Sequence, residues 1–167
     1  MASQRSASRI PGPAVPLRWI ALLRILVGLM FLTTWAINLY RGFYTPDGLA
    51  LFFRELYPQS ENPLGWYAAF INNVILPSRA AFAPFQLVSE GLMALALLVG
   101  AFTPFFSLAG VFFLANTFLA TLGQDWPWSY FVPAGILVVT FITQAGRAMG
   151  VDAYLLKRFG ERGRLFW

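Results

Sequence analysis

The chain has 167 residues, of which 58% are hydrophobic and only 11% are charged, with a formal net charge of +5. Soluble domains carry about 25% charged residues, so this composition argues against a water-soluble domain. The basic residues flank apolar segments near the two chain ends, which favours a membrane protein over a nucleic-acid-binding one. The chain contains no Cys and no His, which excludes disulfides, iron–sulfur ligation and the usual haem or zinc ligands.

The N-terminal region predicts a tail followed by a retained membrane helix. Residues 1–16, rich in Ser, Pro and Arg, are expected to form a disordered cytoplasmic tail. The next apolar segment, 17–40, is longer than the apolar core of a signal peptide, which is about 7–15 residues. No small-residue cleavage site follows it. We therefore expect residues 17–40 to remain in the membrane.

Four apolar segments predict four membrane-spanning helices. They cover about 17–40, 80–101, 104–123 and 128–145. Each is near the roughly 20 residues that an α-helix needs to cross the hydrocarbon core. The fold expected is an all-α integral membrane four-helix bundle occupying residues 17–156, with a basic cytoplasmic tail at 157–167.

The loop between the first and second spans predicts two short amphipathic helices, at 47–57 and 64–76. Apolar residues recur there at i, i+3, i+4 and i+7, and proline marks the boundaries. The two predicted apolar faces consist of Leu49, Phe52, Phe53 and Leu56, and of Tyr67, Phe70, Ile71, Val74 and Ile75. We expect both helices to lie on the outer membrane surface as a lid over the bundle.

The distribution of Lys and Arg predicts that both termini are cytoplasmic. With the N-terminus inside, the outer segments hold three basic residues, Arg41, Arg54 and Arg79. The inner segments hold eight, namely Arg5, Arg9, Arg18, Arg147, Lys157, Arg158, Arg162 and Arg164. Cytoplasmic flanks are enriched in basic residues. The expected location is a prokaryotic-type inner (plasma) membrane, with several passes.

Polar residues within the spans are the candidate functional residues. A charge at mid-membrane costs about 2.5–3.5 kcal/mol on insertion scales, so Arg24 and Glu90 need an explanation. Depths counted from the span edges differ by only about 5 Å, which predicts an ion pair between them. Gln86 and Asn116 fall at similar depth, so all four would form one polar centre. Two interpretations stay open: a pocket or proton-linked site at mid-membrane, and a pair that only fixes helix packing.

Three segments resemble the DoxX family of small membrane proteins. They are LLRILVGLMFL, SEGLMALALLVGAFTPFFSLAG and GRAMGVDAYL, which begin at residues 22, 89 and 146. The residues that match the family pattern are Arg24, Gly28, Glu90, Gly100, Thr103, Gly146 and Asp152. The long outer loop is closer to the DoxD-like branch, which includes the small subunit of thiosulfate:quinone oxidoreductase. Many members have Gly and Lys near the end of the first helix, where this chain reads TTWAINLYRG, so the role of that Lys is not carried over.

The resemblance implies an accessory or quinone-interacting subunit of a membrane redox complex, with quinone as the electron acceptor. Because Cys and His are absent, electrons would have to use a diffusible carrier or a partner's cofactor. The competing hypothesis is a structural or assembly subunit of a larger respiratory or photosynthetic complex, with no site of its own. A small transporter is disfavoured, since the sequence contains no paired broken helices. Whether the chain is an enzyme stays open. The expected partners are the lipid bilayer and other subunits.

Overall fold

The computed structural model describes residues 15–160, and this part of the chain is helical without any β-strand. Residues 1–14 and 161–167 of the two expected tails lie outside the described residues. Ten helical elements follow one another, of which seven are α-helices. They are α1 (Leu17–Tyr40), α2 (Pro46–Leu51), α3 (Gly65–Phe70), α4 (Arg79–Val99), α5 (Thr103–Ala120), α6 (Trp128–Thr143) and α7 (Val151–Phe159).

The long helices match the four predicted apolar segments closely. Helix α1 has the predicted bounds, and α4, α5 and α6 begin and end within three residues of the prediction. Pro104 lies in the first turn of α5, where its missing N–H leaves no intrahelical bond unmade. Helix α7 was not predicted, and it includes residues 157–159, which we had assigned to the basic tail.

Three of the helices, α1, α4 and α5, are long and apolar enough to cross a membrane, and α6 is a shorter apolar helix. Their outward faces carry large apolar side chains, such as Leu26, Phe112 and Ile142. Exposure of such an apolar surface to water is unfavourable, whereas its contact with lipid is favourable. The chain is therefore a membrane protein.

The long helices pack around one apolar core. Helix α1 packs against α4 and α6, and α5 packs against α6 and α4. Close approach requires small residues: a Cβ at Gly28 would lie 2.8 Å from the backbone N of Leu98, and one at Gly110 would lie 2.7 Å from Leu137. Such small residues are common between membrane helices. The buried core consists of Val27, Phe31, Met93, Ala94, Leu97, Leu114, Tyr130 and Leu137.

The segment between α1 and α4 is the predicted lid, residues 45–78, and both expected helices are present. Each begins as an α-helix and continues as one π-helical turn, at Phe52–Leu56 and Ile71–Ile75. Thr45 caps α2, since its Oγ1 accepts the N–H of Gly48 at 3.0 Å. The helical prediction for 47–57 and 64–76 is therefore confirmed at the level of secondary structure.

The lid helices bury only part of their predicted apolar faces. Leu49 and Phe53 are buried, as are Tyr67, Ile71 and Ile75, and they pack on Ala83 and Ala120. Of the other residues in the predicted apolar faces, Phe52 is partly buried, and Leu56, Phe70 and Val74 are exposed. The buried residues follow an i, i+4 spacing, so the inward stripe is narrower than the sequence pattern predicted.

Asn62 fastens the lid to the C-terminal end of α5. Its amide Nδ2 donates to the carbonyl of Leu119 at 2.8 Å, and its Oδ1 accepts the N–H of Leu64 at 2.9 Å. Gln59 donates to the carbonyl of Ala120 at 3.0 Å. These amides satisfy carbonyls that the end of a helix leaves without intrahelical donors.

We expect Asn62→Ala to destabilise the protein, because it strands buried backbone groups at about 1–3 kcal/mol in total. Thermal unfolding in detergent measures this loss. Asn73→Ala is the matched control, since Asn73 is an exposed residue of the same lid. Equal unfolding midpoints for the two variants would contradict the role of Asn62.

Candidate functional site

Glu90 forms a buried carboxylate centre between α4 and the loop after α1. Its side chain is 1% exposed. The Tyr44 hydroxyl donates to Glu90 Oε2 at 2.6 Å, and the Gln86 amide donates to Oε1 at 2.7 Å. Both donors are uncharged. The Glu90 centre is therefore a carboxylate held by neutral hydrogen bonds, which is an arrangement that can accept or release a proton.

The sequence placed Gln86 next to Glu90 correctly, because the two are one helical turn apart. It did not identify Tyr44, which lies four residues beyond the end of α1. Burial raises the pKa of the Tyr44 phenol above its ordinary value, and the nearby charge of Glu90 makes a smaller contribution in the same direction. Tyr44 therefore keeps its proton at physiological pH and serves as the donor.

Arg24 belongs to a second polar site, at the opposite end of the helices. The guanidinium is fully buried, and its Nη2 donates to the carbonyl of Met149 at 3.0 Å. Asp152, also fully buried, is near enough to stabilise the charge of Arg24. The two oxygens of Asp152 accept the backbone N–H groups of Phe102 and Thr103, at 2.7 and 2.9 Å. We call this group of residues the Arg24–Asp152 junction.

The junction includes backbone conformations that residues other than glycine rarely adopt. Gly100 has φ +68°, and a Cβ there would overlap the guanidinium of Arg24. A Cβ at Gly146 would overlap Asp152 and Thr103. The described non-glycine residues with positive φ, namely Phe102, Gln144 and Met149, all flank this junction. Such conformations cost about 1–3 kcal/mol each, so the surrounding contacts must hold them.

The expected ion pair between Arg24 and Glu90 does not form. Each residue has different partners, and Gly100, the neighbour of Arg24 at the end of α4, is ten positions after Glu90. At about 1.5 Å per residue, the two sites lie about 15 Å apart along the helix axis. The prediction was wrong about this pair.

The reason lies in the relative heights of α1 and α4. Trp35 donates its indole N–H to the carbonyl of Leu87 at 2.9 Å, while Gly28 meets Leu97 and Leu98. This antiparallel register places the first turns of α4 beyond the end of α1, beside the lid. The depth estimate assumed that both helices begin at a membrane edge, so it placed Glu90 too close to Arg24.

Asn116 is also separate from the Glu90 centre. Its Oδ1 accepts the Tyr67 hydroxyl at 3.0 Å, and its Nδ2 donates to the carbonyl of Phe112 at 2.7 Å. Asn116 therefore connects α5 with lid helix α3. The predicted single polar centre is in fact three sites: Gln86 with Glu90, Arg24 with Asp152, and Asn116 with Tyr67.

The residues of the family resemblance are unevenly divided between these sites. Five of them, Arg24, Gly100, Thr103, Gly146 and Asp152, meet at the junction. Of the residues that match the family pattern, only Glu90 belongs to the Glu90 centre, and Gly28 packs between α1 and α4. The junction residues join α1, the turn before α5 and α7 through backbone contacts, and Arg24 Nε, Arg24 Nη1 and Thr103 Oγ1 are buried there without a hydrogen-bond partner. These contacts hold the helices together. The Glu90 centre is the candidate for ligand or proton chemistry.

No group of three or more His, Cys, Asp or Glu side chains among residues 15–160 could hold a metal ion. Comparison of the chain with protein-family models, curated proteins and solved structures finds no match. The fold and the Glu90 centre define the class, a helical membrane protein with a buried carboxylate. The DoxX resemblance stays a prediction.

Double-mutant cycles separate the two charged sites. We expect Arg24→Gln and Asp152→Asn to be coupled by about 1 kcal/mol or more, because they share one junction. Arg24→Gln and Glu90→Gln are expected to be additive within about 0.5 kcal/mol, since the two residues share no partner. Unfolding free energies in detergent give both values. Strong coupling of Arg24 with Glu90 would contradict the separation.

Proposed function

We propose that this chain is a DoxX-like integral membrane subunit of a redox complex, and that its Glu90 centre interacts with a quinone. One observation carries the proposal: a carboxylate sealed among membrane helices is held by two neutral donors, Tyr44 and Gln86. Ionisable groups in such surroundings are costly and are functional by default. The resemblance to the DoxX family supports quinone as the class of ligand.

The chemistry that Glu90 offers is proton transfer. Reduction of a quinone to a quinol takes up two electrons and two protons. Glu90 in its protonated form would donate one proton to a quinone oxygen, with Gln86 stabilising the carboxylate that remains, and the second proton would come from water. The electrons would come from a partner's cofactor, because the chain contains neither Cys nor His.

Access to the centre involves Tyr44. In the present conformation its hydroxyl and the Gln86 amide occupy both oxygens of Glu90, so a quinone head group would replace one of these donors. Tyr44 lies in the connection between α1 and α2, which makes it the donor that can move without displacing a long helix. Trp35 keeps α1 and α4 together beside the centre.

A structural or assembly subunit is the second candidate. The observation that favours it is the junction, in which Arg24 and Asp152 find their partners within the chain. These contacts within the chain fix how the helices pack, so the protein can act by packing alone. This function predicts that no quinone is bound.

The proposed topology is a four-helix transmembrane bundle, with α6 as the fourth span and both termini cytoplasmic. Helix α6 has 16 residues, or about 24 Å, and it packs along α5 and α1. The lid helices would lie on the outer surface of a prokaryotic-type inner membrane, and α7 would lie at the cytoplasmic side. The excess of basic residues near α7 and the N-terminus supports this orientation.

Single cysteines test the topology, since the chain has none of its own. We expect Ser60→Cys, in the exposed lid, to react with a membrane-impermeant maleimide added outside intact cells. Lys157→Cys, exposed on α7, should react only after the membrane is opened. The reverse pattern would contradict the proposed orientation.

Quinone content tests the function. We expect the gently purified chain, in its complex, to retain quinone in stoichiometric amount. Glu90→Gln should weaken retention about tenfold, as expected for one lost hydrogen bond to a charged group. Extraction and chromatography measure the bound quinone. Glu55→Gln, an exposed carboxyl of the lid, is the control. Absence of quinone from the parent protein would leave the structural function as the better account.

A further inference from the structure

Helix α7 is fixed to the bundle by one side only. Asp152, on its inward face, bonds the turn between α4 and α5, and the backbone N–H of Asp152 donates to the carbonyl of Gly100 at 2.9 Å. The helix therefore begins at the end of the bundle that is opposite the lid. Its position follows from the Arg24–Asp152 junction.

Part of the exposed surface of α7 is apolar. Val151, Tyr154 and Phe159 are 41%, 58% and 53% exposed. Val151 and Tyr154 lie one turn apart on a face turned away from Asp152, whereas Phe159 lies two turns beyond Asp152 and is exposed at the end of the helix. We refer to these three residues as the apolar stripe. Water alone would leave this stripe unfavourably hydrated.

Basic residues adjoin this apolar stripe. Lys157 and Arg158 are exposed in the last turn of α7, and the guanidinium of Arg158 lies 5.7 Å from the ring centre of Phe159. In sequence, residues 157–167 contain four basic residues and one acidic residue, namely Lys157, Arg158, Arg162, Arg164 and Glu161. An apolar stripe beside a basic cluster is the pattern of a helix that binds an anionic membrane surface.

The neighbouring surface belongs to the same membrane boundary. Trp19, in the first turn of α1, and Phe105, in the first turn of α5, are exposed, as is Met149 just before α7. The guanidinium of Arg18 lies 5.4 Å from the ring centre of Trp19. Amphipathic rings and Arg side chains gather at headgroup level, so α7 lies at that level too.

We propose that α7 is an interfacial helix that binds anionic phospholipid headgroups through Lys157 and Arg158, with Val151, Tyr154 and Phe159 in the adjoining acyl region. The occupant is the anionic lipid of the leaflet at this end of the bundle. Because the junction holds α7 in place, the lipid contact does not have to fold the helix. The proposal is independent of quinone binding.

Lipid-selective quenching in bilayers tests this proposal. A bimane fluorophore on Tyr154→Cys, in the full chain reconstituted into phosphatidylcholine–phosphatidylglycerol nanodiscs, reports on nearby lipids. We expect a headgroup spin-labelled phosphatidylglycerol to quench it about twofold more than spin-labelled phosphatidylcholine at the same mole fraction. Added salt should reduce the ratio, since it screens exposed charges.

The variant K157Q/R158Q should bring the quenching ratio close to one while leaving the unfolding midpoint unchanged, because both side chains are exposed. The control is Arg54→Gln, which removes an exposed basic residue at the lid end and should leave the ratio as in the parent. A parent ratio of one, a ratio that K157Q/R158Q does not change, or bimane that neither lipid quenches would overturn the proposal.

Discussion

Removal of Arg24 and Asp152 from water is the constraint on which the arrangement of this protein depends. Apolar helices offer no solvation to a guanidinium or a carboxylate. The chain compensates by bending sharply after α6, so that Met149 supplies a carbonyl to Arg24 and Asp152 reaches the start of α5. The left-handed residues at this bend accept local strain so that the charges find partners. Helix α7 therefore begins at this end of the bundle.

At the other end of the bundle, polar contacts belong to the lid. Asn62 and Gln59 bond the last carbonyls of α5, Tyr67 bonds Asn116, and Tyr44 bonds Glu90. Between the junction and the lid, the core of the bundle packs through apolar and small residues. Glu90 differs from the other engaged groups because it is an ionisable group held only by neutral donors. That difference makes it the functional candidate.

The length of the apolar segments was sufficient to predict the long helices, and hydrophobic periodicity with proline at the boundaries predicted both lid helices. It also predicted Gln86 beside Glu90, because a single turn separates them. The pairing of Arg24 with Glu90 was wrong because span edges do not determine the register of two packed helices. Tyr44 was missed because it lies in a short connection without periodicity. Asp152 was marked only by the family resemblance, since its contact with Phe102 spans fifty residues of sequence.

Interatomic proximities measured in lipid test the central claim, that Arg24 and Glu90 serve different sites. Solid-state NMR on the full chain, with labelled Arg, Met, Glu and Tyr, can detect the relevant contacts. The account predicts dipolar coupling between the Arg24 guanidinium nitrogens and the Met149 carbonyl carbon, and a cross-peak between the Glu90 carboxyl and the Tyr44 ring. Coupling of the Arg24 guanidinium to the Glu90 carboxyl would contradict it.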